Sequence, residues 1–340
     1  MGLNALALSA GGSGVQTYIR NLVTALACTE SAPGIRVRVQ GSGAGELPPT
    51  IPTEQRPGSA GVKRMLQGLV PFGHVAAVHG LDVDLPRQRN VPLITTVHDL
   101  SVFDVPAAGP RLRARAERQL IRSALRRADQ VIAVSNFTAE RVQNRLGRTA
   151  TVTWLAPAPD MTPADECQVI DARRRYDLPP TFVLQVGTIE PRKNVHLLAA
   201  ACRQLNIPMV LAGAVRATPP ETAVILGYVP RADLPALYGA ATVVTYLSDY
   251  EGFGLPPVEA LACGAPLVAS RVGALSEILG DFQGLVPTRQ LAPLVTLLRS
   301  YLCDPQMRSE QVTLGQSRIA DLSWETTADR TIAVYRSVGL

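Results

Sequence analysis

Five cysteines in 340 residues, Cys28, Cys167, Cys202, Cys263 and Cys303, are odd in number and far apart, and no C-x-x-C pair offers a zinc or redox motif. They read as small buried hydrophobes. No apolar run reaches the roughly 18 residues that span a bilayer. The opening MGLNALALSAGG lacks a basic stretch before a long apolar core, so neither a transmembrane helix nor a signal peptide is expected and the chain reads as cytoplasmic. The charge excess is also small: a formal +5 suits phosphate-bearing ligands or an anionic surface but falls far short of a nucleic-acid signature, so no nucleic-acid partner is expected. What is present is 46% hydrophobic residues with Gly and Pro at 27 each, enough to bury two cores.

Short β-branched runs alternate with longer amphipathic ones: ITTVHD then RLRARAERQLIRSALRRA, QVIAVS then FTAERVQNRL, FVLQVG then VHLLAAACRQL, MVLAG, ATVVTYLS and PLVAS. That alternation predicts an α/β protein of parallel sheets with right-handed crossovers. It weakens between Trp154 and Pro180, where WLAPAPDMTPADE collects prolines and acids, and this stretch reads as the link between two doubly wound domains. The segment from Gly41 to Gly61 is too rich in Gly and Pro for a core element and reads as a mobile loop. LSWETTADRTIAVYRSV predicts a terminal amphipathic helix with Thr327, Ile332 and Tyr335 near one face.

Ligands of open parallel sheets bind at the carboxyl ends of strands, and two such domains would share a cleft. Gly11, Gly12 and Gly14 precede an amphipathic helix, where backbone N–H groups could meet a phosphate; a plain tight turn is the competing reading. A dinucleotide fingerprint fails, because Thr17 stands where the third glycine belongs. His98 ends a strand and is a candidate for contact with a sugar hydroxyl or a reacting centre. Ser135 and Asn136 also follow a strand, where binding and helix capping are equally good explanations. In LQVGTIEPRKNVHLL, Arg192 and Lys193 could neutralise a diphosphate leaving group, against a solvated loop in which Glu190 pairs with Lys193.

SDYEGFGLPPVEALACGAP carries the sharpest pattern. Two acids, Glu251 and Glu259, bracket a nearly bare stretch between a strand and a short helix with proline in its first turn and Gly264 as terminator. Glu259 could simply oppose the helix dipole, but a capping box fails because Pro256 stands where a Ser or Thr is required. Two acids around a glycine loop at a helix start can bracket a diphosphate while accepting hydroxyls on either side, which is the shape of a nucleotide sugar.

These residues resemble the large GT-B family of retaining glycosyltransferases called family 4, with its Glu-x7-Glu signature, and most of all its mannosyltransferase-B-like branch. GGSGVQTYIRNL, TVHDLSVFDVP, RRADQVIAVSNFT, VGTIEPRKN, LGYVPRADLPALYGAA, the Glu251 stretch and LSWETTADRTIAVYR occur in the family's order. The resemblance implies a GT-B fold: a Rossmann-like acceptor-side domain over 1–160, a Rossmann-like donor domain over 161–322 facing it across a cleft, and a helix over 323–340 crossing back to the first.

It also implies roles. Glu251 would hold the donor sugar, Glu259 the ribose, and Arg192 and Lys193 the departing phosphate, while the amides of Phe253, Gly254 and Leu255 would line sugar and diphosphate. His98 would approach the sugar, Gly12 and Gly14 would let the first loop near the diphosphate, and the main chain at Gly227 and Tyr228 would meet the base. No metal or other cofactor is implied, in keeping with no D-x-D motif being read after a strand. Many relatives carry Arg where this chain has Thr188, which either shifts phosphate binding toward Arg192 or lowers the affinity.

The expected activity is transfer of a hexose, mannose from GDP-mannose as first choice, to a glycan, lipid-linked or small-molecule acceptor. A nucleotide-sugar epimerase, a phosphorylase or a non-catalytic nucleotide-sugar binder are the alternatives. The helix from Arg111 to Arg127 carries seven arginines over an expected buried stripe of Leu112, Ala116, Leu120 and Ala124. A solvated face is the plainer reading of it, and contact with an anionic membrane the alternative.

Overall fold

In the computed structural model, residues 1–9, 12–59, 61–105 and 111–340 are described. The chain divides into two compact units, Met1–Leu155 together with Leu322–Leu340, and Ala156–Asp321. The Pro-rich stretch read as a link contains both the boundary and a helix, Glu166–Arg175, whose start Asp165 and Gln168 fix with a reciprocal capping box.

The first unit holds seven strands: β1 (Gly2–Asn4), β2 (Arg36–Gln40), β3 (Thr53–Arg56), β4 (Val78–Gly80), β5 (Leu93–Val97), β6 (Gln130–Ala133) and β7 (Thr151–Val152). All pairings are parallel, in the order β3-β2-β1-β4-β5-β6-β7. The second unit repeats the plan with β8 (Val183–Val186), β9 (Met209–Ala212), β10 (Ala223–Gly227), β11 (Val243–Tyr246), β12 (Leu267–Ser270) and β13 (Leu285–Val286), ordered β10-β9-β8-β11-β12-β13. Each order reverses once, beside β1 and β4 and beside β8 and β11, and crevices at the carboxyl ends of such strands are where doubly wound sheets take ligands. Strands β5, β9, β11 and β12 are buried along their whole length, which explains why they are short runs of mostly apolar and β-branched residues without a charge.

The terminal helix Trp324–Ser337 packs in the first unit, with Thr327, Ile332 and Tyr335 buried as its periodicity predicts. Tyr335 hydrogen-bonds His79 Nδ1 at 2.8 Å, His79 Nε2 meets Thr96 Oγ1 at 2.8 Å, and Thr96 meets the Tyr18 hydroxyl at 2.9 Å. Burial holds His79 neutral and pushes its pKa down to about 3.

Three expectations are corrected. The Gly41–Gly61 segment is not a structureless loop: it contains a 3-10 turn, Gly41–Glu46, and the edge strand β3. Gly43 is there because a Cβ would lie 2.6 Å from the Leu8 carbonyl oxygen. Arg38, fully buried, pairs with Glu54 of β3 at 3.1 Å and caps the Val70 and Pro71 carbonyls. On the helix Arg111–Arg127 the buried stripe is rotated, with Ala114, Ile121, Ala124 and Leu125 buried, Ala116 exposed and Leu120 half-buried. Among the cysteines only Cys202 and Cys263 are buried; Cys28, Cys167 and Cys303 are exposed near helix ends.

Candidate functional site

The reversal between β8 and β11 brings together two loops that are far apart in sequence, Gly187–Asn194 and Leu247–Gly254. Gln185, buried on β8, ties them: its Nε2 donates to the Lys193 carbonyl at 2.9 Å and its Oε1 accepts from Leu247 N at 3.2 Å. Asp249 makes a second tie. Its N–H donates to the Arg192 carbonyl at 2.9 Å, and its carboxylate accepts Asn194 Nδ2 at 2.8 Å and Arg289 through two bonds. Burial works against the Asp249 charge, but Arg289 and Asn194 outweigh it and hold the carboxyl below its usual range.

Held this way, the 3-10 turn Pro191–Lys193 aims both of its cations at Glu251. Lys193 Nζ lies 2.6 Å from Glu251 Oε1 and Arg192 reaches the same oxygen at 3.1 Å, while the Tyr246 hydroxyl donates to Oε2 at 3.2 Å. Glu251 is 7% exposed and Lys193 5%. Burial opposes both charges; for Glu251 the two cations prevail and its carboxyl titrates below the ordinary range, whereas for Lys193 burial prevails and lowers the ammonium pKa. The bland pairing of Glu190 with Lys193 does not form; Glu190 binds Arg192 at 2.6 Å instead.

Glu259 is the opposite case. It sits within the helix Leu255–Ala262, 7% exposed, and its carboxylate makes no hydrogen bond or ion pair among the described residues. Burial raises its pKa to about 7, Arg231 pulling it down and Asp160 pushing it up. The helix begins at Gly254 with no side-chain cap, and Pro256 and Pro257 supply no N–H. The N–H groups of Phe253, Gly254 and Leu255 have no acceptor among the described residues. Gly254 holds φ at 98°, and a Cβ there would lie 2.4 Å from Leu275. Gly227 ends β10 at φ 68° beside Tyr228, which is 59% exposed.

In the first unit, His98 follows β5 with Nε2 donating to the Leu81 carbonyl at 2.8 Å and its ring edge-on to Tyr18 at 4.7 Å. The Nδ1 lone pair is therefore the one left for a ligand. Ser135 is buried and accepts from Thr138 N as the N-cap of Asn136–Leu146, so its structural role is visible; Asn136 is exposed beside it. Gly12 and Gly14 flank the N-cap Ser13, while Gly11 lies outside the described residues, as do the side chains of Arg111, Leu112 and Arg113. One motif runs against expectation: Asp82 and Asp84 form a D-x-D directly after β4. Both pair with Arg64, at 3.7 and 3.4 Å, and no group of three metal-binding side chains occurs among the described residues.

Sequence reasoning passed over Gln185, Tyr246 and Asp249 as site builders. The signal it could have used is positional: all three lie at or just past the carboxyl ends of β8 and β11.

Residues 12–158 match the model of Glycosyltransferase Family 4 and residues 169–318 that of Glycosyl transferases group 1. O-antigen chain mannosyltransferase B of Escherichia coli is 31% identical over 280 residues, covering 76% of this chain and 73% of that protein. The chain belongs to glycosyltransferase family 4. D-inositol 3-phosphate glycosyltransferase of Thermobifida fusca is 29% identical over 74% of this chain and 65% of its own length. Among solved structures, Anabaena Alr3699/HepE in complex with UDP and glucose superposes with a TM-score of 0.76 at 18% identity, covering 99% of both chains. The fold is GT-B, and the chain is a hexosyltransferase. No helix among the described residues is long and apolar enough to cross a membrane.

Proposed function

We propose that the enzyme transfers mannose from GDP-mannose, with retention at the anomeric carbon, to a glycan, lipid-linked or small-molecule acceptor. Glu259 carries the nucleotide-sugar part of this reading. A buried carboxylate with no partner is costly unless a ligand supplies donors, and the vicinal hydroxyls of a ribose are such donors, beside amides free to take a diphosphate. Similarity to the Escherichia coli mannosyltransferase supports the sugar. UDP-glucose is the second reading, favoured by the UDP and glucose held by the Anabaena protein.

The residues divide the work. Cleavage of the anomeric bond builds negative charge on the diphosphate and positive charge on the sugar; Arg192, Lys193 and the Phe253, Gly254 and Leu255 amides stabilise the first. Glu251 accepts from Arg192, Lys193 and Tyr246, with the Ser248 hydroxyl also favouring its charged form, and its carboxylate is the acceptor offered to a sugar hydroxyl. His98 contributes Nδ1 as an acceptor for another hydroxyl, and Gly12, Gly14, Gly227 and Tyr228 contact diphosphate and base through the main chain. In this reading the reaction needs no metal. Among the described side chains of the arginine-rich helix, the exposed Arg115, Arg122 and Arg126 are the ones available to an anionic membrane.

The test is release of nucleoside diphosphate from UDP-, GDP- and dTDP-sugars with and without acceptor. GDP release from GDP-mannose above the other donors is expected; no release from any donor would overturn the enzymatic reading.

A further inference from the structure

Tyr246 is the last residue of β11, buried, and belongs to no motif that drew attention in the sequence. Its hydroxyl takes part in a closed ring of hydrogen bonds. Lys193 Nζ donates to the Tyr246 oxygen at 2.5 Å, the Tyr246 O–H donates to Glu251 Oε2 at 3.2 Å, and Lys193 Nζ donates to Glu251 Oε1 at 2.6 Å. The ammonium also sits 4.1 Å from the Tyr246 ring centroid.

An ammonium has three equivalent donors on a rotating carbon, and as such is a charge without direction. Two of the three are taken here, by different acceptors on different residues. The rotation is thereby fixed, and the third N–H, which has no partner among the described residues, points one way only. Without the Tyr246 oxygen the group would be held at one point and free to turn about it. Tyr246 also donates to Glu251 Oε2, the oxygen that Lys193 does not bond.

We propose that Tyr246 is a positioning residue of the transfer reaction: it makes Lys193 a directional donor, its third N–H committed to the diphosphate oxygen of the departing nucleotide. This rests on the reading of Lys193 as the cation that meets the leaving group. Since the interaction grows as charge develops on the diphosphate, the loss should fall on turnover rather than on donor binding. The ring further predicts a change in titration. The Tyr246 oxygen accepts from the charged form of Lys193 and favours it, so removing that oxygen lets burial depress the ammonium pKa further.

Tyr246→Phe keeps the ring and the packing and removes one oxygen. Measured with the best donor of the panel, kcat should fall about tenfold, the worth of one buried hydrogen bond to a charged partner, while the donor KM changes less than threefold. The alkaline limb of the kcat profile should move to lower pH. A melting temperature close to wild type shows that the variant is folded. Wild-type kcat and an unmoved alkaline limb in Tyr246→Phe would overturn the positioning role while leaving the transferase reading intact. A wild-type enzyme that turns over no donor would instead overturn the reading on which the role depends, and both would fall together.

Discussion

Two buried polar clusters, one in each unit, have been solved in opposite ways. In the first unit Tyr335, His79, Thr96 and Tyr18 form an uncharged chain in which both imidazole nitrogens are bonded, with no place left for a ligand. In the second unit Lys193 and Glu251 bury charge beside half-buried Arg192, and the Glu259 carboxylate and three backbone amides have no partner among the described residues. A cluster that only holds a fold can be completed by the fold itself. Incomplete pairing at a sheet reversal is what a binding site looks like before its ligand arrives, and it is the reason the second cluster, not the first, is read as the donor site.

The contrast can be broken most strongly at Lys193. Lys193→Ala should reduce kcat/KM by about 30- to 1,000-fold, the range for losing one preorganised donor or about 2–4 kcal/mol, and should leave Glu251 with Arg192 as its one cation beside the Tyr246 hydroxyl. Steady-state kinetics with the donor panel reads the loss.

The next effect is a difference of sign in pH dependence. Glu259 titrates near 7 in the folded chain, above the usual carboxylate range, so the native state holds an extra proton between about pH 4.5 and 7 and stability falls as pH rises through that window. His79 titrates near 3, below the usual imidazole range, so the unfolded state takes the extra proton and stability rises with pH from about 3 to 6.5. Glu259→Gln should therefore remove the falling limb, be more stable than wild type at pH 8 by on the order of 3 kcal/mol, and match it near pH 4. Urea titrations at several pH values decide this.

A smaller change is expected in the closed cluster. Tyr335→Phe leaves His79 Nδ1 without its partner and should cost about 1–2 kcal/mol of stability without altering nucleotide protection of the second unit. A loss of nucleotide binding in Tyr335→Phe would erase the distinction between the two clusters.

Much of this was legible in the chain. Central parallel strands are buried on both faces, so ITTV and VVTY announce themselves as uncharged β-branched runs, whereas the edge strand Thr53–Arg56 is polar on both faces and hides inside a Gly-rich stretch. Glycines were the harder signal: at Gly43 and Gly254 they mark close contact with a neighbour, and only the former was mistaken for looseness. The two acids of the site were visible through their spacing around a bare loop. The partners of Glu251 were not, because Lys193 lies 58 residues away and meets it only through the strand reversal. Tyr246 was hidden for the same reason, reading as one more strand residue.

The central claim is that the second unit holds a nucleotide sugar with Glu259 on its ribose. Thermal unfolding of wild type and Glu259→Ala in a panel of UDP-, GDP- and dTDP-sugars tests it most directly. The account predicts a raised melting temperature for wild type with one nucleotide class, GDP first, and little or no rise for Glu259→Ala. An equal rise in both proteins would contradict it.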